Sequence, residues 1–590
     1  MARDAARRRR ERRGRARRGA AGIHRSHHRS RAAGQGTPGR QSAVAERGRC
    51  CGGESRRHEV IADVACRARR DPARARPPRR QAARARMSVA DAALAARVEG
   101  WIDSAGRSPE DVLRTAQSVL SAGFDPANVL IVVDDAALED TSEMIAAAES
   151  IGVGILHADA PLLNARLAES TAEFLFVIRW GVVLADLLPK VVGFHDRFPA
   201  VALTYGDSVS EAGHPLLRPL FSPIRLRSND YLGPVVTSRI DELRAIGGFR
   251  SEARRAQLLD LALRAGAAGW EIALNPAVLA TEDLAPGDFA GTSAAQNAVV
   301  SAHLAEIGVD AAVDEIKPFI RRVRYAIVDA PLVSIVIPTR GGAASIAGTD
   351  RVLVVEAIKG IVERSTYPNV EFVVVADRET PDSVVEQLEQ LCGDKLRLVL
   401  WDAPFNFSAK MNRGAVAASG EYLLLLNDDV EVVTDDWIET LLGLAQQEGV
   451  GIVGAQLYFE DSTVQHAGQV YTGGVAGHAA FGWAGGRDDA IKSMATDHEV
   501  SGVTAACALI RRDVYFEVGG FTRELPGNYN DVDLNMKVRS SGRSAVFSPW
   551  ARLYHFESKS RDPRILESDL TTLQSRWSRR MQVELYSRMM

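Results

Sequence analysis

The sequence predicts an α/β protein built as two tandem domains, each a mostly parallel sheet covered by helices. Three observations predict it. From residue 331 onward, short runs rich in Val, Ile and Leu alternate with helix-period stretches, the pattern of parallel strands joined by crossover helices. Segments between residues 97 and 310 repeat segments of that second half in the same order. No apolar run approaches the roughly 18–20 residues a membrane-spanning helix needs. The longest leucine cluster, Leu423 to Leu426, is cut off at once by Asn427, Asp428 and Asp429. With 46% apolar and 25% charged residues, collagen-like and disulfide-scaffold classes are excluded.

Residues 1–86 stand apart from the rest. They hold 27 Arg, no Lys and 7 acids, a net of +20, whereas residues 87–590 hold 45 basic and 68 acidic side chains, a net of −23. A piece so charged buries too little to offset its ordering entropy. It reads as a basic disordered arm suited to nucleic-acid phosphates, or as a targeting segment lacking the apolar stretch of a secretory signal. The preferred expectation is a spurious extension ahead of a true start at Met87, where composition changes abruptly. No nucleic acid is expected as a partner of residues 87–590. Cys50, Cys51 and Cys66 lie in the Arg-rich piece and only Cys392 and Cys507 follow, without metal-ligand spacing. A reducing cytoplasm and no structural zinc are therefore expected.

The first domain is expected over 97–315. Its strand Val129–Val133, followed by Asp134 and Asp135, mirrors Val370–Val375 followed by Asp377. Asn164 to Val182 lines up without a gap on Asn412 to Val430, and Val235 to Phe249 mirrors Cys507 to Phe521, both ending in Gly-Gly-Phe. A period this long means tandem domains and not a solenoid. The copies differ where chemistry would be. Asn427, Asp428 and Asp429 fall opposite Arg179, Trp180 and Gly181; Asp531 falls near Leu258, Asp533 opposite Asp260, and His555 near Glu282. The first copy is expected to keep the scaffold and lose the carboxylates.

The second domain is expected over 331–590. Pro331 to Thr339 reads as a buried strand, followed by a helix at about 351–364, the strand ended by Asp377, a helix at about 381–391, and strands Leu396–Leu400 and Tyr422–Leu426. Sheets of this kind bind ligands outside the carboxyl ends of their strands. That points to Pro338, Thr339, Asp377, Asp428 and Asp429. Adjacent carboxylates repel and commonly hold a cation; the plainer alternative is an acidic turn in which Asp428 caps a helix. A second acidic cluster, Asn528 to Leu534, opens a helix expected over Asp533 to Ser540. Residues two apart on a helix point about 200° apart. One of Asp531 and Asp533 is then a reacting group, as a general base for a hydroxyl, and the other a cap or brace. Lys410 either meets a phosphate or is a solvated helix residue. His466 and His478 each read as a loop histidine, preferred, or a ligand; His555 serves either a metal or diphosphate, or the core. Leu570, Leu573, Trp577 and Met581, beside Arg576, Arg579 and Arg580, form a stripe that docks on the domain or lies on an anionic membrane surface.

Taken together, VSIVIPTR, PFNFSAKMNRG, GEYLLLLNDDVEV, TVQHAGQV, VTAACALIRRDVYFEVGGF, NDVDL and LYHFES resemble the family-2 glycosyltransferases of bacterial cell-surface polysaccharide assembly over about 331–580. The first half resembles the same fold more distantly. The resemblance implies a GT-A fold (nucleotide-diphospho-sugar transferase, Rossmann-like) and an inverting transfer from a nucleotide-diphosphate sugar with Mg2+ or Mn2+. It further implies a glycan or lipid-linked acceptor, and a cytoplasmic location open to peripheral contact at the inner face of the plasma membrane. Carried over by position, Asp429 looks like the metal ligand and Asp428 the contact to donor ribose or metal. Asp531 looks like the base, with Asp533 the second candidate, and His555 sits near the metal and leaving diphosphate. Pro338, Thr339, Asp377, Lys410 and Asn412 complete the donor-binding set. The sequence departs from the family at Ala376, which precedes Asp377, at Arg340-Gly341-Gly342, and at Asn530, where a Glu is frequent. The competing readings are a sugar-phosphate nucleotidyltransferase, whose Gly-rich loop Pro338 to Gly342 imitates weakly, and a non-catalytic glycan-binding or scaffold protein. The latter is preferred for the first copy.

Overall fold

The computed structural model describes residues 89–105, 107–133, 141–282, 289–346, 348–556 and 566–588. The Arg-rich stretch, Asp134, Asp135, Glu557 and Ser558 lie outside the described residues. The first sheet contains β1 (Val98–Asp103), β2 (Val129–Val133), β3 (Gly154–His157), β4 (Phe174–Ile178), β5 (Val182–Val183), β6 (Val201–Ser210), β7 (Val235–Arg239) and β8 (Glu271–Glu282). Their order is β3-β2-β1-β4-β7-β6-β8-β5. The second sheet contains β9 (Val333–Thr339), β10 (Val370–Asp377), β11 (Leu396–Trp401), β12 (Tyr422–Leu426), β13 (Val430–Val432), β14 (Val450–Tyr458), β15 (Cys507–Arg511) and β16 (Ser544–His555). Their order, β11-β10-β9-β12-β15-β14-β16-β13, repeats the first term by term.

The sheets are mixed, with a parallel-rich half, and not parallel throughout. β9 to β12 pair in parallel, but β15 runs antiparallel to both β12 and β14. A parallel neighbour requires a crossover. Among the described residues no α-helix joins β14 to β15; the connection over residues 459–506 is made of short strands and one 3-10 turn. That return brings Tyr458, Leu426, Cys507 and His555 to one end of the sheet. Every residue of β12 is buried, as expected of a strand covered on both faces. The polar triplet Asn427, Asp428 and Asp429 begins where the strand leaves that cover.

Matching clamps hold the two halves' helices. Asn412 Nδ2 donates to the Phe521 carbonyl and Oδ1 accepts the Phe521 N–H, both at 2.9 Å. Asn164 does the same with Phe249 at 2.8 Å. Gly520 and Gly248 have φ of 59° and 64°, and a Cβ at either would stand 2.6 Å and 2.1 Å from that asparagine's Oδ1. Both the left-handed backbone and the close approach require glycine. The shared Gly-Gly-Phe is thus the receptor of the asparagine clamp.

All described residues fall in one compact unit. An apolar cluster runs without a break from Trp101 through Tyr231 and Tyr325 to Trp437. The stretch between β14 and β15 reaches into the first half. Glu499 accepts hydrogen bonds from Ser222 and from the Ile224 N–H, and Arg225, fully buried, faces the Ile491 carbonyl and Ser493. Near the carboxyl end, Arg588 clamps Asp207 with two bonds of 2.9 Å.

Two residues of the C-terminal stripe dock on the domain, as the first of its two readings expects. Leu573 and Met581 are buried with Tyr471, Val532 and Met536, beside the helix Glu567–Trp577. Among the described residues, no helix is long and apolar enough to cross a membrane.

Candidate active site

A cavity of about 440 Å³ opens at the carboxyl ends of β9, β10 and β12. Its walls include Pro338, Thr339, Asp377, Lys410, Asp428, Asp429, Asp531 and His555. Residues up to about two hundred positions apart therefore share one concave space. Thr339, Asp377 and His555 end their strands, Asp428 and Asp429 follow one, and Lys410 and Asp531 lie in the first turns of helices.

Asp428 and Asp429 divide the work. Asp428 Oδ2 accepts from Thr339 Oγ1 at 2.6 Å. Burial, and then the charge of Asp429, push its carboxyl up to about 6. Asp429 is also buried, which favours the neutral acid, but the charge of His555 when that ring is protonated, together with Asp429's own backbone N–H and Asn427, lowers its pKa. Asp429 Oδ1 lies 3.1 Å from His555 Nε2, yet this buried oxygen accepts no well-formed hydrogen bond.

The tautomer of His555 follows from Gln465. Gln465 Nε2 donates to the His555 carbonyl at 3.3 Å, so its Oε1, 2.6 Å from His555 Nδ1, accepts. The ring proton then sits on Nδ1, and the Nε2 lone pair faces Asp429 and the Asn427 amide at 2.9 Å. A lone pair and a carboxylate oxygen at this distance repel unless a proton, or a metal ion that takes the lone pair in place of the Asn427 amide, joins them. About 3 Å is also the spacing of neighbouring ligands on an octahedral ion with bonds of about 2.1 Å. The residues present thus fit Mg2+ or Mn2+. Among the described residues no three His, Cys, Asp or Glu form a cage. The remaining ligands would have to be phosphate oxygens or water, as such ions commonly accept.

Lys410 is buried, and Nζ donates to Asp377 Oδ1 and to the Thr339 carbonyl, each at 2.7 Å. Burial lowers its pKa, with Asp377 opposing. Its charge is spent on locking the ends of β9 and β10 together, so the solvated-helix alternative is set aside. Asp531 sits in the first turn of the helix Asn530–Ser540, where Oδ1 accepts the Val532 N–H at 2.8 Å. Tyr529, just before that helix, has φ of 57°, a left-handed backbone that a non-glycine residue rarely adopts.

Two candidates stand elsewhere. The helix begins three residues earlier than the sequence suggests, at Asn530, so Asp531 and Asp533 are both helical and diverge. Asp533 is fully buried and receives Thr522 Oγ1, Lys537 Nζ, Arg576 Nε and Trp577 Nε1 at 2.5–2.9 Å. It braces the C-terminal helix and does not line the cavity. Asp260 pairs with Arg264 four residues on in the same way, at 2.6 Å, in the half without the acidic pair. Asp533→Ala is expected to cost about 3 kcal/mol of stability, measured by thermal melting, with ligand binding intact below the transition. Asn412 likewise serves the Phe521 clamp and not the cavity.

Residues the sequence reading passed over also line the cavity, Gln465, Gln469, Phe405 and Phe481, as do His478 and Asn530, to which it gave no site role. His466 and His478 are strand residues, ending Val464–His466 and Val475–His478, and not loop histidines. Their one sequence signal was the alternation in Thr463-Val-Gln465-His-Ala-Gly-Gln469, polar residues at strand spacing.

Among the described residues, the first half has no acidic pair at the position of Asp428 and Asp429. Val182 pairs with Thr281 as Val430 pairs with His555, so Thr281, one residue before Glu282, holds the histidine's place. Gly181 holds that of Asp429. A Cβ there would stand 2.3 Å from the Thr281 carbonyl oxygen, so no side chain fits without moving β8. Arg179 is paired with Asp230 at 2.6 Å, and Arg218 with Glu282.

Residues 334–519 match the family described as Glycosyl transferase family 2. The O-antigen biosynthesis protein RfbC of Myxococcus xanthus is 33% identical over 71% of this chain and 32% of its own length. The uncharacterized protein y4gI of Sinorhizobium fredii is 34% identical over 64% of this chain and 43% of its own. The chain therefore spans less than half the length of these curated relatives. Solved structures overlap little. GalNAc-T7 crystallised with UDP, GalNAc and Mn2+ gives a TM-score of 0.33 at 12% identity, over 42% of this chain and 47% of its own. The mannosyltransferase PcManGT of Pyrobaculum calidifontis, with GDP-Man and Mn2+, gives 0.28 at 17% identity, over 39% and 58%.

Proposed function

We propose that the 331–590 region, of which residues 334–519 match glycosyl transferase family 2, transfers a sugar from a nucleotide-diphosphate donor to a glycan or lipid-linked acceptor in cell-surface polysaccharide synthesis. The observation that carries this reading is the convergence of Asp428, Asp429, Asp531 and His555 on one cavity. Asp429 and His555 Nε2 would hold Mg2+ or Mn2+, which when bound would neutralise the charge of a departing diphosphate. Thr339 holds Asp428 in place, and Lys410 fixes Asp377 at the strand ends where the nucleoside would lie. Asp531 takes the proton from the acceptor hydroxyl as its oxygen attacks the anomeric carbon. Attack opposite the leaving group inverts that carbon in one step. A lipid-linked acceptor would bring the chain, from the cytoplasm, to the inner face of the plasma membrane. The 97–315 region, with the same strand order and Arg179, Trp180 and Gly181 in place of Asn427, Asp428 and Asp429, is in this reading a degenerate GT-A copy that supports the catalytic half.

The test is thermal stabilisation and hydrolysis across a panel of nucleotide-diphosphate sugars with Mn2+ or Mg2+. Metal-dependent stabilisation by at least one donor is expected. Asp429→Ala should weaken it about 100-fold, since loss of a mere outer partner of a metal costs 10–100-fold. Release of pyrophosphate from a nucleoside triphosphate and a sugar phosphate would instead indicate nucleotidyl transfer and contradict the proposal.

A further inference from the structure

The first half keeps a cavity where the second has its acidic pair. Arg179, Trp180 and Gly181 follow β4 as Asn427, Asp428 and Asp429 follow β12, and they wall a space of about 640 Å³. That volume suits a small ligand. The stretch between β14 and β15 adds Ile491 and Lys492 to the wall, and a neighbouring cavity of about 550 Å³ shares Arg179 and Asp230 with it.

The central groups are held before any ligand arrives. Arg179 meets Asp230 through two nitrogens, at 2.6 and 3.2 Å, and its guanidinium lies 4.4 Å from the centre of the Trp180 ring. Gln296 Nε2 supports Asp230 at 3.4 Å. An ion pair thus fixes the cation stacked on the indole, and the indole with it. Arg218 is matched in the same way by Glu282. Two neutral groups of the wall have no such match among the described residues. Asn229 is 9% exposed; its Nδ2 donates to the Phe319 carbonyl at 3.2 Å, while its Oδ1 accepts no hydrogen bond. The Nε1–H of the half-buried Trp180 has no acceptor. A native site leaves such groups unmatched where solvent or a ligand completes them.

We propose that this cavity binds a saccharide, with Trp180 packed on the C–H face of a sugar ring and Asn229 Oδ1 accepting from a hydroxyl. The proposal goes beyond the transfer reading and does not depend on it. A hydroxyl both gives and takes a hydrogen bond, so it satisfies a leftover acceptor and a leftover N–H alike. A phosphate oxygen has no proton for Asn229 Oδ1. A divalent cation has no carboxylate pair here, and its place is closed at Gly181. Arg107, Arg114, Arg255 and Lys492 outnumber Asp103 and Asp111 around the wall, so acidic sugars are admitted beside neutral ones. The adjoining cavity gives room for a chain of sugars and not one ring alone.

The test is calorimetry and saturation-transfer NMR of the full chain with neutral and uronate-containing oligosaccharides, without nucleotide or metal. At least one is expected to bind. Trp180→Ala should weaken that binding about tenfold or more, and Asn229→Leu, which keeps the volume, about fivefold. Trp180→Phe keeps a ring and should recover part of the loss, a pattern that misfolding would not give. UDP or GDP with Mn2+ should not compete. Failure of every oligosaccharide to bind, wild-type affinity in both Trp180→Ala and Asn229→Leu, or displacement by UDP or GDP overturns the proposal. Saccharide binding that depends on Trp180 in a chain that consumes no nucleotide sugar would leave this site standing and overturn the transfer reading alone.

Discussion

Asp531→Asn is expected to lower sugar transfer by about 10²–10⁴-fold, the range that a positioned general base contributes. The substitution keeps shape and leaves an oxygen for the Val532 N–H that Asp531 now accepts. It removes the basicity alone. In the proposed reading donor and metal are gathered by Asp428, Asp429 and His555, so binding of a nucleoside diphosphate with Mn2+ should persist unchanged. The signature is a fall in kcat at near-constant donor affinity, read by transfer kinetics and calorimetry side by side. Asp531→Asn turning over at the wild-type rate would remove Asp531 from the chemistry.

Removal of residues 1–325 is expected to abolish cooperative folding of the remainder. The apolar cluster that joins Tyr231 and Tyr325 to Trp437 would be cut open and left facing water. The stretch between β14 and β15 would lose Ser222 and Ile224 from Glu499, and Arg225 from Ile491 and Ser493. Arg588 would lose Asp207. Each hydrogen bond is worth about 1 kcal/mol and more when charged; a native fold holds only about 5–15 kcal/mol in all. The consequence reaches the cavity, because the same stretch supplies His478 and Phe481 to its wall. Circular dichroism melts of the 326–590 fragment give the answer. A monomeric fragment that melts cooperatively and binds nucleotide as the full chain does would show the first half to be dispensable.

The acidic residues of the cavity were legible because they interrupt patterns. Asp428 and Asp429 follow four leucines, and Asp531 opens a helix after Gly-Gly-Phe. Strand ends in an α/β sheet converge, so chemistry-bearing residues at several such ends are brought together by topology alone. Asp533 was undecidable between reacting group and brace, because its partners Arg576 and Trp577 lie some forty residues on, in another helix. Asn412 looked like a ligand contact because a polar residue near a strand edge reads the same whether it holds substrate or backbone. Its twin Asn164, kept in the half without the acidic pair, was the available clue. The histidine pair was invisible because it depends on how the hairpin of Gln469–Thr472 and Val475–His478 folds back. The strand reversal at β15 was missed for a related reason: the sequence shows where strands lie, but not whether the chain between them crosses over.

The most direct measurement is anomalous diffraction at the manganese edge from crystals of the full chain grown with Mn2+ and the nucleoside diphosphate of the best donor. One peak is expected in the 331–590 cavity, within bonding reach of Asp429 and His555 Nε2 and of the diphosphate oxygens, with none beside Gly181. A nucleotide bound at those strand ends without manganese, or a peak away from Asp429 and His555, would contradict the account.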